Sequence, residues 1–214
     1  VLLAELAEAS PRVAPVYVRL GTAWDGMEEG ACRRFVGSLA APAVGPLQVF
    51  DLPVGAVYGE HWSTTGVGVP GRDSPDDAVY MPGRNLLVLL QAAVWCSLHG
   101  IPTLALGLLS GNPFRDASPP FFASYERALN AGLGADLRIV LPYRELAKPE
   151  VLRRGRRLPL GLTWSCIRPA GRLHCGRCNK CAERQRAFAA AGLADATEYA
   201  TGGAWPDGAR QDHP

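Results

Sequence analysis

The chain has 214 residues, 48% apolar and 20% charged, the make-up of one compact globular domain, which excludes a disordered or fibrous protein. Folding at this length buries most of the apolar surface, so no disulfide or metal is needed to supply the core and any metal is an accessory. The net charge of +2, carried by 20 Arg and 2 Lys against the acids, does not have the imbalance of a nucleic-acid binder, and no apolar run reaches the ~18 to 20 residues of a membrane span.

No basic-then-apolar signal pattern opens the chain, so a soluble, cytoplasmic protein is the expectation. Residues 1–9 (VLLAELAEA) place apolar side chains on one helical face and stop at Ser10-Pro11. Residues 14–20 (APVYVRL) form a short β-branched run that fits a buried parallel strand, and residues 28–39 follow as a helix. Residues 47–52 (LQVFDL) are a second strand. From Pro53 to Val79 runs a stretch rich in Gly, Pro, Ser and Thr, longer than a passive connection and placed where ligands bind in α/β sheets, which marks it as a functional loop or a mobile surface connection. Residues 84–99 (RNLLVLLQAAVWCSLH) are the clearest helix, followed by a strand at 103–108, a helix at 120–131, a strand at 137–141 and a helix start at 148–154. Strands alternating with helices predict an α/β fold, a Rossmann-like parallel sheet covered by helices on both faces. The expected organisation is an α/β domain over residues 1–160, a cysteine-bearing segment over 161–200 and a flexible tail over 201–214.

Four of the six cysteines fall within 16 positions, as Cys166-x8-Cys175-x2-Cys178-x2-Cys181. Four thiolates so spaced close a tetrahedral zinc site with Zn–S about 2.3 Å, and full protein ligation makes the ion structural. An iron–sulfur cluster uses the same ligands and spacing alone does not exclude it. His174 is a spare ligand that the site does not need, while Cys32 and Cys96 lie in helical patterns and read as small buried hydrophobes.

Arg84 and Asn85 open a helix just after Pro82-Gly83, where backbone N–H groups and the helix dipole favour a phosphate or carboxylate; a cap and a surface ion pair are the plainer alternative. Asp116, in a loop at a sheet end, has the chemistry to hold a substrate amine or Mg2+, or to close an Asx turn. Ser63 and Thr64 in that long loop are candidate hydroxyl contacts to a substrate, with surface polarity the plainer alternative. The run from Arg153 to Arg157 (RRGRR), without interleaved aromatics, fits a solvated helix end better than a nucleic-acid site.

The string Thr163-Trp-Ser-Cys166, the CGRCNKC knuckle from Cys175, Glu183-Arg184 and AFAAAGLADATEY up to Tyr199 resemble the zinc-binding end of the 7-cyano-7-deazaguanine synthases of queuosine biosynthesis. Tyr80-Met-Pro-Gly-Arg-Asn85 resembles that family's Y-x-P-x-R-N motif, and Lys148-x-Glu150 with a following Arg-Gly pair resembles its approach to the zinc site. The resemblance implies an ATP-dependent ligase of the adenine nucleotide alpha hydrolase type. Such an enzyme turns 7-carboxy-7-deazaguanine and ammonia into the nitrile by way of the amide, with ATP and Mg2+ as cosubstrate and ion. It also implies Lys148 near the triphosphate and the backbone at Leu20 and Gly21 under the adenine. The family's S-G-G-x-D-S phosphate loop does not occur in the sequence; because Val1 lies in what would be the first helix, one strand and that loop, roughly 15 residues, are expected ahead of it. The stretch 111–122 keeps Asp116, Pro119 and Phe121 but has Ala117 and Ser118 where the family has a Cys-Arg pair, and Asn179 stands where Asp is usual. Those departures leave two alternatives: a related enzyme activating a different carboxylate, or a non-catalytic zinc-knuckle module. The expected partners are a small molecule and ATP rather than a membrane or nucleic acid, with a symmetric homodimer common for such an enzyme.

Overall fold

The computed structural model describes residues 1–200; the expected flexible tail, 201–214, lies outside the described residues. The chain runs α1 (Leu2–Ala9), β1 (Val16–Arg19), α2 (Asp25–Leu39) and β2 (Gln48–Asp51), then the short helices α3 (Gly55–Tyr58) and α4 (Trp62–Thr65). It continues through α5 (Arg84–Leu98), β3 (Thr103–Ala105), α6 (Pro119–Leu133), β4 (Arg138–Val140), α7 (Lys148–Arg154) and α8 (Asn179–Ala191). No described helix is long and apolar enough to cross a membrane.

All ladders between these strands are parallel, as the β-branched runs predict. β1 pairs with β2 from Val16 opposite Gln48 to Arg19 opposite Asp51, and β3 pairs with β4 from Thr103 opposite Arg138 to Ala105 opposite Val140. The pairs form two separate two-stranded sheets; among the described residues no strand bridges β1 to β3. One continuous sheet is therefore not what these residues build, although the α/β alternation and the helical cover are. Each strand is shorter than its apolar run.

Helix boundaries follow from side chains that satisfy loose backbone groups. α2 begins three residues before its predicted start because the Asp25 carboxylate accepts the N–H groups of Gly21 (2.7 Å) and Thr22 (3.0 Å), closing the turn after β1. α6 starts where Ser118 Oγ accepts the Phe121 N–H, with prolines in its first turn, and ends at Gly134 in the left-handed region. Asn130 near its end clasps the start of β4, donating to the Leu137 carbonyl and accepting the Leu137 N–H, both at 2.8 Å. α1 docks beside the carboxyl end of β3: Leu2 approaches Gly107, and Glu5 accepts from the Tyr143 hydroxyl at 2.7 Å.

Two buried clusters organise the molecule. One joins Ala93, Cys96, Leu129 and Leu137 between α5, α6 and β4. The other joins Val18 of β1, Leu20 just after it, Trp24, Val54 and Met81 to all four cysteines of the C-terminal segment. The cysteine segment thus shares a core with β1, and the 53–79 stretch is tied in as well: Trp62 stacks on Trp24 with ring centroids 5.7 Å apart.

Candidate active site and metal centre

A cavity of about 490 Å3 opens where the chain leaves β3, the end of a parallel strand at which α/β proteins bind ligands. One wall is the 106–114 loop, the second is the 80–85 turn into α5, and the third is made by Lys148, Lys180 and Glu183. Tyr80 and Phe114, both in the lining, pack directly on each other with ring centroids 5.1 Å apart and planes inclined by 31°, so that one wall of the cavity is aromatic.

The turn before α5 is fixed from two sides. The Tyr58 hydroxyl donates to the Pro82 carbonyl at 2.6 Å, and Gly83 adopts φ +74°, a conformation that a side chain would strain. Asn85 then meets Asp116: its backbone N–H donates to Asp116 Oδ2 at 3.1 Å and its amide Nδ2 to the Asp116 carbonyl at 2.9 Å. Asp116 is buried, so its carboxylate takes the N-terminal charge of α5 and joins two walls that are 31 residues apart. Arg84 lines the same cavity and acts on the Glu28 carboxyl, which burial raises and Arg84 pulls down.

Lys148 opens α7 and reaches Glu183 Oε1 at 2.8 Å; Lys180, in the first turn of α8, reaches Glu183 Oε2 at 2.7 Å. Burial alone raises the Glu183 carboxyl, but the two ammonium groups overcome it and hold it down at about 2. Burial lowers Lys148, with Glu183 opposing. The structure therefore brings together Arg84, Asn85, Asp116 and Lys148. Leu20, Gly21, Ser63 and Thr64 are not part of this lining. Leu20 is in the core, Gly21 donates to Asp25, fully buried Ser63 pairs its Oγ with His61 Nδ1 at 2.8 Å, and Thr64 donates to the Gly59 carbonyl. Sequence reasoning missed Phe114 and Lys180. The signal for Lys180 was its residue type, one of two lysines in a chain of arginines.

Beside this cavity the four predicted cysteine ligands converge. All four sulfurs are buried and lie within 4.8 Å of one another. Cys175 Sγ to Cys181 Sγ and Cys178 Sγ to Cys166 Sγ are each 3.9 Å, close to the ~3.8 Å edge of a tetrahedron with 2.3 Å metal–sulfur bonds and far from a disulfide. Backbone N–H groups point at the sulfurs: those of Arg168 and Cys175 at Cys166, and those of Arg177 and Cys178 at Cys175. Such donors stabilise thiolate, the form that binds a metal. The donor set fits a single ion. Gly176, at φ +72°, makes the turn between the second and third ligands. His174 is not in the ligand set; its Nε2 accepts the Ser165 N–H at 3.2 Å, and burial, with Arg184 nearby, lowers it to about 4. Arg184 braces the segment, bonding Thr163, Ser165, Thr197 and the Leu160 carbonyl.

Asn179, fully buried between Cys178 and Lys180, ties this knuckle to the 53–79 stretch. Its backbone N–H donates to the Pro70 carbonyl and its Nδ2 to the Ser74 carbonyl, each at 2.9 Å, while its Oδ1 has no partner.

The family described as queuosine biosynthesis protein QueC matches residues 58–192, which span both the cavity and the cysteine centre. Among curated proteins, the chain is 33% identical over 178 residues to the 7-cyano-7-deazaguanine synthase of Rhizobium etli, covering 77% of this chain and 74% of that one. It is 36% identical over 169 residues to the synthase of Thiobacillus denitrificans, covering 72% and 73%, and 31% identical over 194 residues to that of Syntrophobacter fumaroxidans, covering 81% and 80%. With that family match laid over the motif-bearing cavity and the four-cysteine centre, the chain belongs to the QueC family of 7-cyano-7-deazaguanine synthases.

Proposed function

We propose that the chain is an ATP-dependent carbon–nitrogen ligase that converts 7-carboxy-7-deazaguanine and ammonia to 7-cyano-7-deazaguanine. The observation that carries this reading is the convergence, in a QueC family member, of Tyr80, Arg84, Asn85, Asp116 and Lys148 on one cavity at the end of a parallel strand.

A carboxylate resists attack by ammonia until one of its oxygens becomes a leaving group. Its oxygen attacks the α-phosphorus of ATP, pyrophosphate departs, and ammonia displaces AMP to give the amide. A second ATP activates the amide oxygen in the same way, and loss of AMP and a proton leaves the nitrile. This chain's residues position and neutralise. Arg84 and Lys148 present fixed positive charge to the phosphates, in a half-enclosed site where such charge counts for more than in water. Tyr80 and Phe114, packed on each other, give the base an aromatic wall to lie against, and the Asn85–Asp116 clasp sets the distance between the walls. The backbone at Leu20 and Gly21 is assigned to the adenine; the hydroxyls of Ser63 and Thr64 are engaged by His61 and the Gly59 carbonyl, so substrate contact falls to the cavity residues. The four cysteines would hold a zinc ion, which, with every position taken by protein, would supply rigidity to the third wall rather than chemistry.

ATP–pyrophosphate exchange on the full-length protein tests the reading. Exchange that depends on added 7-carboxy-7-deazaguanine is the expected result; no acid-dependent exchange together with no nucleotide retention overturns it.

A further inference from the structure

We infer that Lys180 and Lys148 form a paired-ammonium site for one oxyanion of the bound substrates, so that the cysteine segment contributes a binding residue to the active site as well as a brace. The inference rests on the cavity being the ligase site and names a binding group within it.

The chain contains 20 arginines and only two lysines, and those two, 32 positions apart, meet at one carboxylate on the cavity wall. An ammonium is a compact charge with three tetrahedrally disposed N–H donors, whereas a guanidinium is a planar fork; a pocket that must wrap one oxyanion from two sides suits the former. Glu183 displays the geometry in which the pair takes an oxyanion, with one oxygen on each nitrogen at 2.8 and 2.7 Å. Each ammonium spends one donor there and keeps two. Two positive charges against one negative leave the group at +1, and both lysines are little more than a quarter exposed, so that charge is only partly screened. The backbone that carries Lys180 is held in place: Cys178 and Cys181 flank it in the knuckle, and buried Asn179 beside it is bonded to Pro70 and Ser74. An ion pair that only fastened α7 to α8 would need one lysine, not two directed into the cavity.

The ligand group is a phosphate of the nucleotide or the carboxylate of the acid. Calorimetric titration of the zinc-loaded, full-length protein separates them, with inorganic pyrophosphate, 7-carboxy-7-deazaguanine and 7-cyano-7-deazaguanine as probes. The variants are Lys180→Gln and Lys180→Arg, with the exposed Arg186→Gln as control. Lys180→Gln is expected to weaken one oxyanion probe roughly tenfold, the loss of one charged hydrogen-bond donor. It should leave the uncharged nitrile within about twofold, with zinc content and melting temperature as in the wild type. Lys180→Arg should recover part of the affinity. Loss for pyrophosphate assigns the phosphate, and loss for the acid assigns the carboxylate. Equal affinity of wild type and Lys180→Gln for both oxyanions overturns the inference. If pyrophosphate binds in a Lys180-dependent way while the acid fails to bind, the oxyanion site stands and the proposed substrate falls.

Discussion

At the residue scale, the consequential side chains are those whose partners are far away in sequence. Asn179 places an amide donor against the Ser74 carbonyl, with Asp76 Oδ1 at 3.5 Å. Asn179→Asp turns that donor into an acceptor facing an acceptor, inside the core. The variant should lose about 1–3 kcal/mol of stability in denaturant unfolding, with the 70–76 backbone gaining hydrogen-exchange rate first. Unchanged stability would mean that the knuckle and the loop are held by other contacts. A second expectation concerns pH. Arg19 first, then Arg33, hold the buried Glu29 carboxyl below its ordinary value. A depressed acid stabilises the fold fully above its unfolded-state value and loses that contribution as pH falls through the folded one. Glu29→Gln should therefore cost about 0.5 kcal/mol at pH 7, the size of a screened pair given that Arg19 is 39% exposed, and the cost should vanish as pH falls through the lowered folded-state value. A penalty that persists in acid would argue for packing instead of charge.

At the element scale, helices with internal periodicity were legible and those held by tertiary contacts were not. α5 declares itself through its apolar run, and its start at Arg84 follows from Pro82-Gly83. α8 does not: Asn-Lys-Cys-Ala-Glu-Arg-Gln-Arg reads as polar, and its helicity is set by a buried Cys181, Ala182 and Arg184 that face the shared core. The 53–79 stretch, read as one loop, contains α3, α4 and a 3-10 turn at Asp76–Val79, the first two because Tyr58, Trp62 and Ser63 find partners outside it. The clasp between Asp116 and α5 carries its own expectation. Asp116→Ala removes the acceptor at a helix N-terminus, which should lower stability by about 1 kcal/mol. It should also raise KM for the acid more than it lowers kcat, since the clasp sets the width of the cavity. A variant with wild-type KM would separate the clasp from substrate binding.

At the scale of the whole molecule, the metal centre and the α/β layer are one cooperative unit, because the cysteines pack in the same cluster as Val18, Leu20 and Trp24. Chelation of the metal should therefore lower the melting temperature of the entire protein in a single transition and change Trp24 and Trp164 fluorescence together; two separate transitions would show that the segment folds on its own. The sequence by itself determined the α/β alternation, the parallel character of the strands and the clustering of four cysteines, because each is a pattern of residue types at short spacing, while the Tyr80–Asn85 motif was legible through its resemblance to a family. Only the tertiary structure decided that the strands fall into two ladders, that Asp116 serves α5, and that Lys148 and Lys180 share Glu183. These depend on contacts between segments 31 to 35 residues apart, and no local periodicity records which surfaces will meet once the apolar faces have been buried.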